Sequence, residues 1–508
     1  MILPALLAIV GVSVVLAFDN SRYDNTVVYW GQNSYGATHS DTANYQQRLS
    51  FYCNDDAIDV FPLAFLNVFF GTGGLPSINL ANTCNNVDNT TFPGTALPDC
   101  SLLATDIATC QAKGKIVTLS LGGATGSVGF SSDAQAVQFA NTIWNLFLGG
   151  TSDTRPFGSA ILDGVDLDIE GGTSSSYPAF VNELRTLATG ASKRYYITAA
   201  PQCVFPDAAL SGVLNAASFD AIYVQVLLQQ PLRFDQLWAS LGRTYPSFLQ
   251  FERISHRPLQ NWNFGIWDHW ARNTSLNPDV KVYIGAPASS TAAGSGYVDI
   301  GNLSSIAVRM RNSFPSFGGV MLWDASQAHA NDRYDLTIKG ALAAAGGVGF
   351  TYPPCSAINY SAGSVYIASS TVSYNGYIWE AKWWTQSEPA SNPNGDWSAI
   401  SACSGSGSSG GDPTTTTTSA GSTPTSGGAC TGVDEWESTT IYVGGYQAVY
   451  NGHLWTAKWW TQGDIPGGSV GVWVDLGACV SLRKVTATPK PTSTGTRGSD
   501  HFLRDDGL

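Results

Sequence analysis

Asp163-Gly164-Val165-Asp166-Leu167-Asp168-Ile169-Glu170 places four carboxylates within eight residues, three of them alternating with Val165, Leu167 and Ile169. In an extended strand successive side chains point to opposite faces, so Asp166, Asp168 and Glu170 share one face and their aliphatic neighbours pack on the other. Three ionised acids in single file repel each other. The cheapest relief is for at least one to keep its proton, which is the state a general acid needs near neutral pH. Acid clusters also arise as solvated loop charges or as ligands of hard cations. Here the aliphatic interleaving and the following Gly171-Gly172 fit a buried strand that runs into a loop. Strongly coupled titratable groups concentrate at functional sites, so Asp166, Asp168 and Glu170 are read as catalytic.

Working outward, short apolar runs recur with helix-length stretches between them: Val27 to Tyr29, Val60 to Val68, Lys115 to Leu121, Gly164 to Ile169, Tyr195 to Ala199, Ala221 to Val226, Lys281 to Ala286 and Gly319 to Trp323. Nearly continuous apolar strands alternating with helices indicate parallel strands buried on both faces. Eight such units predict an α/β fold, a (β/α)8 TIM barrel, with its active site at the C-terminal strand ends. Glu170 stands at such an end.

The chain of 508 residues is long enough for several domains, and its 44 % hydrophobic content supports a sizeable core. A net charge of −13 argues against a nucleic-acid partner, which calls for a basic patch. Residues 1–17 read as a secretory signal peptide, an uncharged apolar run closing on Val15-Leu16-Ala17. No later run has the ~20 apolar residues of a membrane span. A secreted, extracellular protein is expected, with no membrane partner, and disulfides are permitted. The sequons at Asn89, Asn273, Asn302 and Asn359 fit a glycoprotein. Nothing in the sequence demands an oligomer, so a monomer is expected.

Beyond Gly349 the texture changes. Tyr374-Asn375-Gly376-Tyr377-Ile378-Trp379-Glu380-Ala381-Lys382-Trp383-Trp384-Thr385-Gln386 returns 76 residues later as Tyr450-Asn451-Gly452-His453-Leu454-Trp455-Thr456-Ala457-Lys458-Trp459-Trp460-Thr461-Gln462. The same offset maps Trp397 onto Trp473 and Cys403 onto Cys479. The copies read as two small β-rich modules, 355–403 and 430–480, each stapled by one disulfide because so small a core seldom suffices alone. Residues 404–429 form a Ser/Thr/Gly-rich linker and 481–508 a disordered tail. On a strand, adjacent Trp residues point to opposite faces, so one ring packs inward and the other is displayed. Displayed aromatics in a secreted protein make a stacking platform for sugar rings, and duplication adds avidity on a repetitive surface.

The spacing Asp163-x-x-Asp166-x-Asp168-x-Glu170 resembles the signature of the family 18 glycoside hydrolases, the chitinases, and Ser120-Leu121-Gly122-Gly123 resembles their third-strand motif. Val28-Tyr29-Trp30-Gly31-Gln32-Asn33, Ala199-Ala200-Pro201-Gln202-Cys203 and Val320-Met321-Leu322-Trp323 narrow the likeness to plant and fungal class III chitinases, over a barrel spanning 18–348. The C-terminal copies are similar to chitin-binding modules of carbohydrate-binding families 5 and 12. The resemblance implies a retaining endo-chitinase acting on chitin and its oligosaccharides by substrate-assisted catalysis, an exception to the two-carboxylate scheme. Glu170 would protonate the glycosidic oxygen and Asp168 would steady the substrate's N-acetyl nucleophile, sharing a proton with Asp166. Asp163, counted with Tyr29, Gln225 and Trp323 among the substrate-binding residues, would support the strand end; Trp323 would floor the sugar subsite, and Tyr29 and Gln225 would line the pocket. Trp379, Trp383, Trp384, Trp455, Trp459 and Trp460 would serve the modules. No metal and no cofactor are implied. The implied disulfides are Cys53–Cys110, Cys84–Cys100, Cys355–Cys403 and Cys430–Cys479.

One stretch departs from the family. After Gln225 the family has Phe-Tyr-Asn-Asn, often followed by Pro-Cys, where the Tyr bonds the N-acetyl carbonyl and the Cys pairs with the cysteine at position 203. Here the chain reads Val226-Leu227-Leu228-Gln229-Gln230-Pro231-Leu232-Arg233. A codon string for Leu227 to Trp238, read one nucleotide later, spells Phe-Tyr-Asn-Asn-Pro-Cys-Gly-Leu-Thr-Asn-Phe. Residues 226–260 are therefore read as translated out of frame, with family-like sequence resuming at Asn261. The odd total of nine cysteines points the same way. The alternative is a divergent loop encoded as written. Two functional readings compete with the chitinase: a non-catalytic chitin-binding lectin on a degenerate barrel, and an endo-β-N-acetylglucosaminidase.

Overall fold

The computed structural model describes residues 18–171, 175–225, 263–390, 395–404, 430, 433–442, 447–457, 461–468 and 472–479. The signal-peptide, frame-shift and tail readings, with nearly all of the linker, lie outside them. So do Trp459 and Trp460. The chain divides into two compact units, Met1–Pro413 and Thr414–Leu508.

Eight parallel strands close into a barrel: β1 (Asn25–Val28), β2 (Val60–Val68), β3 (Ile116–Gly122), β4 (Gly164–Asp168), β5 (Tyr196–Ala199), β6 (Ala221–Val224), β7 (Lys281–Pro287) and β8 (Phe317–Trp323). Each pairs with its sequence neighbour, and β1 meets both β2, at Val27↔Val60, and β8, at Val27↔Met321. The TIM barrel inferred from the apolar runs is thus present. Described helices α1 (Ala104–Ala112), α2 (Asp133–Phe147), α3 (Tyr177–Ala188), α4 (Ser211–Ala216), α5 (Phe264–Asn273), α6 (Ile300–Ser313) and α7 (Tyr334–Ala345) follow β2 to β8 in turn.

α2 shows why these segments become helices. The Ser132 hydroxyl caps the Gln135 amide, and the Gln135 side chain reaches back to the Ser131 amide, satisfying donors that the first turn leaves open. Ala136, Phe139, Ala140, Ile143 and Phe147 then recur at helical spacing and are buried against the sheet. The core has two parts. Tyr29, Phe65, Tyr223, Tyr283 and Met321 fill the barrel interior, and the aliphatic faces of the strands pack outward on the helices.

Each C-terminal copy is a small antiparallel sheet. The first has β9 (Thr371–Tyr374), β10 (Tyr377–Ala381) and β11 (Trp397–Ala402); the second has β12 (Gln447–Tyr450), β13 (His453–Ala457) and β14 (Trp473–Ala478). Both open on an Asn-Gly hairpin turn with positive φ at Asn375, Gly376, Asn451 and Gly452, the left-handed geometry that suits the twist of the flanking strands. The four disulfides implied by the resemblance are formed. The first copy lies in the same unit as the barrel and shares its outer hydrophobic core, through Tyr377, Trp379, Trp397 and Ala399 among others.

Candidate active site

Parallel register assembles the site. Ser120 on β3, Asp166 on β4 and Thr198 on β5 stand side by side, at Ser120↔Asp166 and Asp166↔Thr198. Both hydroxyls donate to the Asp166 carboxylate, at 2.8 Å from Ser120 Oγ and 2.7 Å from Thr198 Oγ1. Tyr29, just past the end of β1, adds a third bond of 2.7 Å from its Oη. Asp166 is completely buried, and burial raises its pKa against the pull of these donors.

Two residues further along, Asp168 accepts one bond of 2.6 Å from Gln225 Nε2. Burial, with the neighbouring charges of Glu170 and then Asp166, holds its carboxyl well above the usual carboxylate range. Glu170 is half-buried at the cleft. Its pKa is raised by burial and by the Asp207 carboxylate. Among the described residues Asp166 has three donors and Asp168 one, so charge settles most easily on Asp166 and a proton on Asp168, which sits between two acids. The file is a ladder of unequal acids.

Gly122 allows β3 and β4 to approach at this level. Its φ is +118°, and a Cβ there would lie 2.1 Å from the Asp168 carbonyl oxygen. The next amide, Gly123 N–H, donates to that same carbonyl at 2.8 Å.

The cleft has a volume of about 460 Å³. Tyr29, Asp168, Glu170, Gln225 and Trp323 line it. Trp323 stacks on Phe65, with ring centroids 5.8 Å apart and 18° between planes, and makes an apolar wall beside the acids. Aromatic faces next to convergent polar groups suit a sugar ring, whose C–H face and hydroxyl edge differ in the same way.

Asp163 is a correction. It does not line the cleft. It lies just before β4, at the opposite end of the barrel, where it accepts bonds from Val117 N–H, Gln111 Nε2 and Lys193 Nζ. The strand direction explains this, because a residue before the first strand residue cannot reach the C-terminal mouth.

The Trp pair also differs from expectation. β10 ends at Ala381, so Trp383 and Trp384 sit in the bend beyond it, and both are exposed, at 47 % and 59 %. Trp379, on the strand itself, is buried and donates to the Tyr374 carbonyl. It belongs to the module's core, not to a displayed face. Trp455 is half-buried and donates to the Tyr450 carbonyl.

The sequence reading gave no role to Ser120, Thr198, Phe65, Asn67 or Asp207. A hydroxyl residue in the middle of an apolar strand was the available signal for the first two. Asn67 lines the cleft with its Oδ1 buried and, among the described residues, unbonded, a position no motif marks.

The model of the glycosyl hydrolases family 18 matches residues 25–384. "Chitinase 2" of Rhizopus oligosporus is 44 % identical over 346 residues, 68 % of this chain and 57 % of that protein. "Chitinase 1" of Rhizopus niveus is 45 % identical over 323 residues, 64 % of this chain and 58 % of that protein. "Class III chitinase" of Arthroderma benhamiae is 38 % identical over 341 residues, 66 % of this chain and 90 % of that protein. The chain spans under three fifths of the length of the two Rhizopus relatives. With a barrel and an acid file of this geometry, it belongs to the glycosyl hydrolases family 18.

Proposed function

We propose that the protein is a secreted, retaining endo-chitinase that cleaves β-1,4-N-acetylglucosamine linkages, with the C-terminal modules binding the insoluble polymer. The observation that carries this reading is the acid ladder at the cleft, from Asp166 through Asp168 to Glu170. Glu170 protonates the leaving glycosidic oxygen. Asp168 turns toward the substrate's N-acetyl nitrogen and takes up the positive charge that develops there. Asp166, held by Tyr29, Ser120 and Thr198, accepts the balance of the shared proton. Trp323 floors the subsite beside the bond that breaks. Names of relatives such as "Chitinase 2" support chitin as the polymer.

The test is release of soluble oligosaccharides from chitin. The Glu170→Gln variant should lose turnover by about 10²-fold or more while still binding the polymer, because a general acid contributes on that scale. If the parent protein binds chitin and releases nothing, and Glu170→Gln changes nothing, the non-catalytic lectin reading replaces this one. The same assay on the 226–260 segment in both frames tests the frame-shift reading. Detection of a secreted peptide containing Gln236-Leu237-Trp238 would sink it.

The acid must be protonated to act, so activity should fall as pH rises through the elevated Glu170 pKa. Asp207→Asn removes one cause of that elevation and keeps an oxygen acceptor for the Ala209 and Leu210 amides, losing only the bond from Gln202 N–H. Its alkaline limb should move to lower pH, and an unmoved limb would remove Glu170 from the acid role.

A further inference from the structure

The first module sits on the barrel through a seat built from both sides. α5 begins Phe264-Gly265, and a Cβ at Gly265 would lie 2.1 Å from the Ala399 carbonyl oxygen of β11. Only a glycine lets the helix and the strand come so close. One turn further, Asp268 is fully buried and accepts bonds from Tyr377 Oη at 2.8 Å, Ser316 Oγ at 2.6 Å and Ser316 N–H at 3.1 Å. Tyr377 belongs to the module, and Ser316 lies just before β8 of the barrel.

Arg272, a turn beyond Asp268, lies over the Tyr377 ring at 4.9 Å and over that of Tyr352 at 5.7 Å. Ser401 Oγ donates to the Ser313 carbonyl at the end of α6. The connection between α7 and the module is itself fastened. Arg311 donates to the carbonyls of Gly346 at 2.9 Å and Gly349 at 2.8 Å, and Phe350 stacks on Tyr23.

The second copy does not repeat the seat. Its residues at the positions of Tyr377 and Ala399 are His453 and Asp475, which bond each other at 2.8 Å. An aromatic hydroxyl suited to a buried acid has become half of an exposed imidazole–carboxylate hydrogen bond.

We propose that the 355–403 module is a fixed wing of the catalytic barrel, in which the Gly265–Ala399 seat and the Asp268–Tyr377 bond hold the exposed Trp383–Trp384 pair in one orientation to the cleft, so that insoluble chitin is gripped and cut by a single rigid body. Trp383 is itself steadied by a bond of 2.6 Å from its Nε1 to Asp396. The proposal rests on the chitin-binding reading above.

The test uses the full chain and breaks the seat from each side, by Gly265→Val on the barrel and Ala399→Glu on the module. Undocking is scored by proteolysis within 346–354 and by hydrogen exchange in β10 and β11. Both variants should expose these segments and keep turnover of soluble N-acetylglucosamine oligosaccharides within about twofold. Turnover of insoluble chitin should fall by about fivefold or more, since a surface held at a fixed span loses its effective concentration when that span is freed. Ala399→Glu leaves the barrel sequence intact, so agreement between the variants separates undocking from a misfolded barrel. Undocked protein with an unchanged ratio of insoluble to soluble turnover overturns the proposal, as does a module that stays docked in both variants. A Trp383→Ala/Trp384→Ala variant with unchanged turnover of insoluble chitin overturns the binding reading for this module instead, and this proposal with it.

Discussion

The two C-terminal modules share a sequence pattern and differ in which hydrophobic core their buried residues join. Tyr366, Trp379, Ala381 and Trp397 of the first join the outer core of the barrel. Among the described residues, Tyr442, Ala448, Ala457, Val472 and Trp473 of the second form a core of their own. Internal positions survived duplication, as in Tyr366 and Tyr442 or Trp397 and Trp473, while the outward face diverged at Tyr377 and His453. A repeat therefore records what a fold needs internally. What it docks against is written in the positions where the copies disagree.

The largest separation between the copies should come from their disulfides. They span nearly equal loops, 48 and 49 residues, so each removes a similar chain entropy, worth about 4 kcal/mol. The first module draws further stabilisation from α5 and α6. Cys430→Ser/Cys479→Ser should unfold the second module outright, and Cys355→Ser/Cys403→Ser should leave the first folded, as read by hydrogen exchange. Equal loss of protection in both would break the comparison.

Next come the core tryptophans. Trp379 is buried and should cost about 3–5 kcal/mol on truncation to Ala, a loss visible in denaturant unfolding of the barrel itself. Half-buried Trp455 should cost less, with no effect on barrel unfolding. The smallest contrast is at the diverged position. Tyr377→Phe removes one bond to a buried carboxylate and should cost about 1–2 kcal/mol. His453→Phe breaks an exposed pair and should leave the melting temperature unchanged.

The barrel was legible because its information is local. Eight apolar runs with helix-length spacers leave little choice of topology, and alternation along Asp166, Asp168 and Glu170 sets their common face. Less legible was everything set by register between strands. Ser120 and Thr198 serve Asp166 from segments 46 and 32 residues away, and a hydroxyl in a strand carries no mark of its partner. Asp163 was misassigned because a spacing motif says nothing of which barrel end a residue reaches. The Trp383–Trp384 reading assumed that the strand continued, and a strand end is among the features that composition fixes least. The seat was invisible for a further reason. Gly265, Asp268 and Tyr377 each fit their own element, and only tertiary packing brings them together.

Gly265 has one more consequence, for how this polypeptide can be cut and recombined. The repeat pattern invites division after residue 348, as though the modules were interchangeable parts. A barrel ended there would present Asp268, His269 and the seat of Ala399 to water, leaving a buried carboxylate without its tyrosine hydroxyl. The natural seam lies after Ser404. Moving the first module to another barrel would require a glycine and an acid at matching positions of the receiving helix. By adapting to its neighbour the first copy has ceased to be portable.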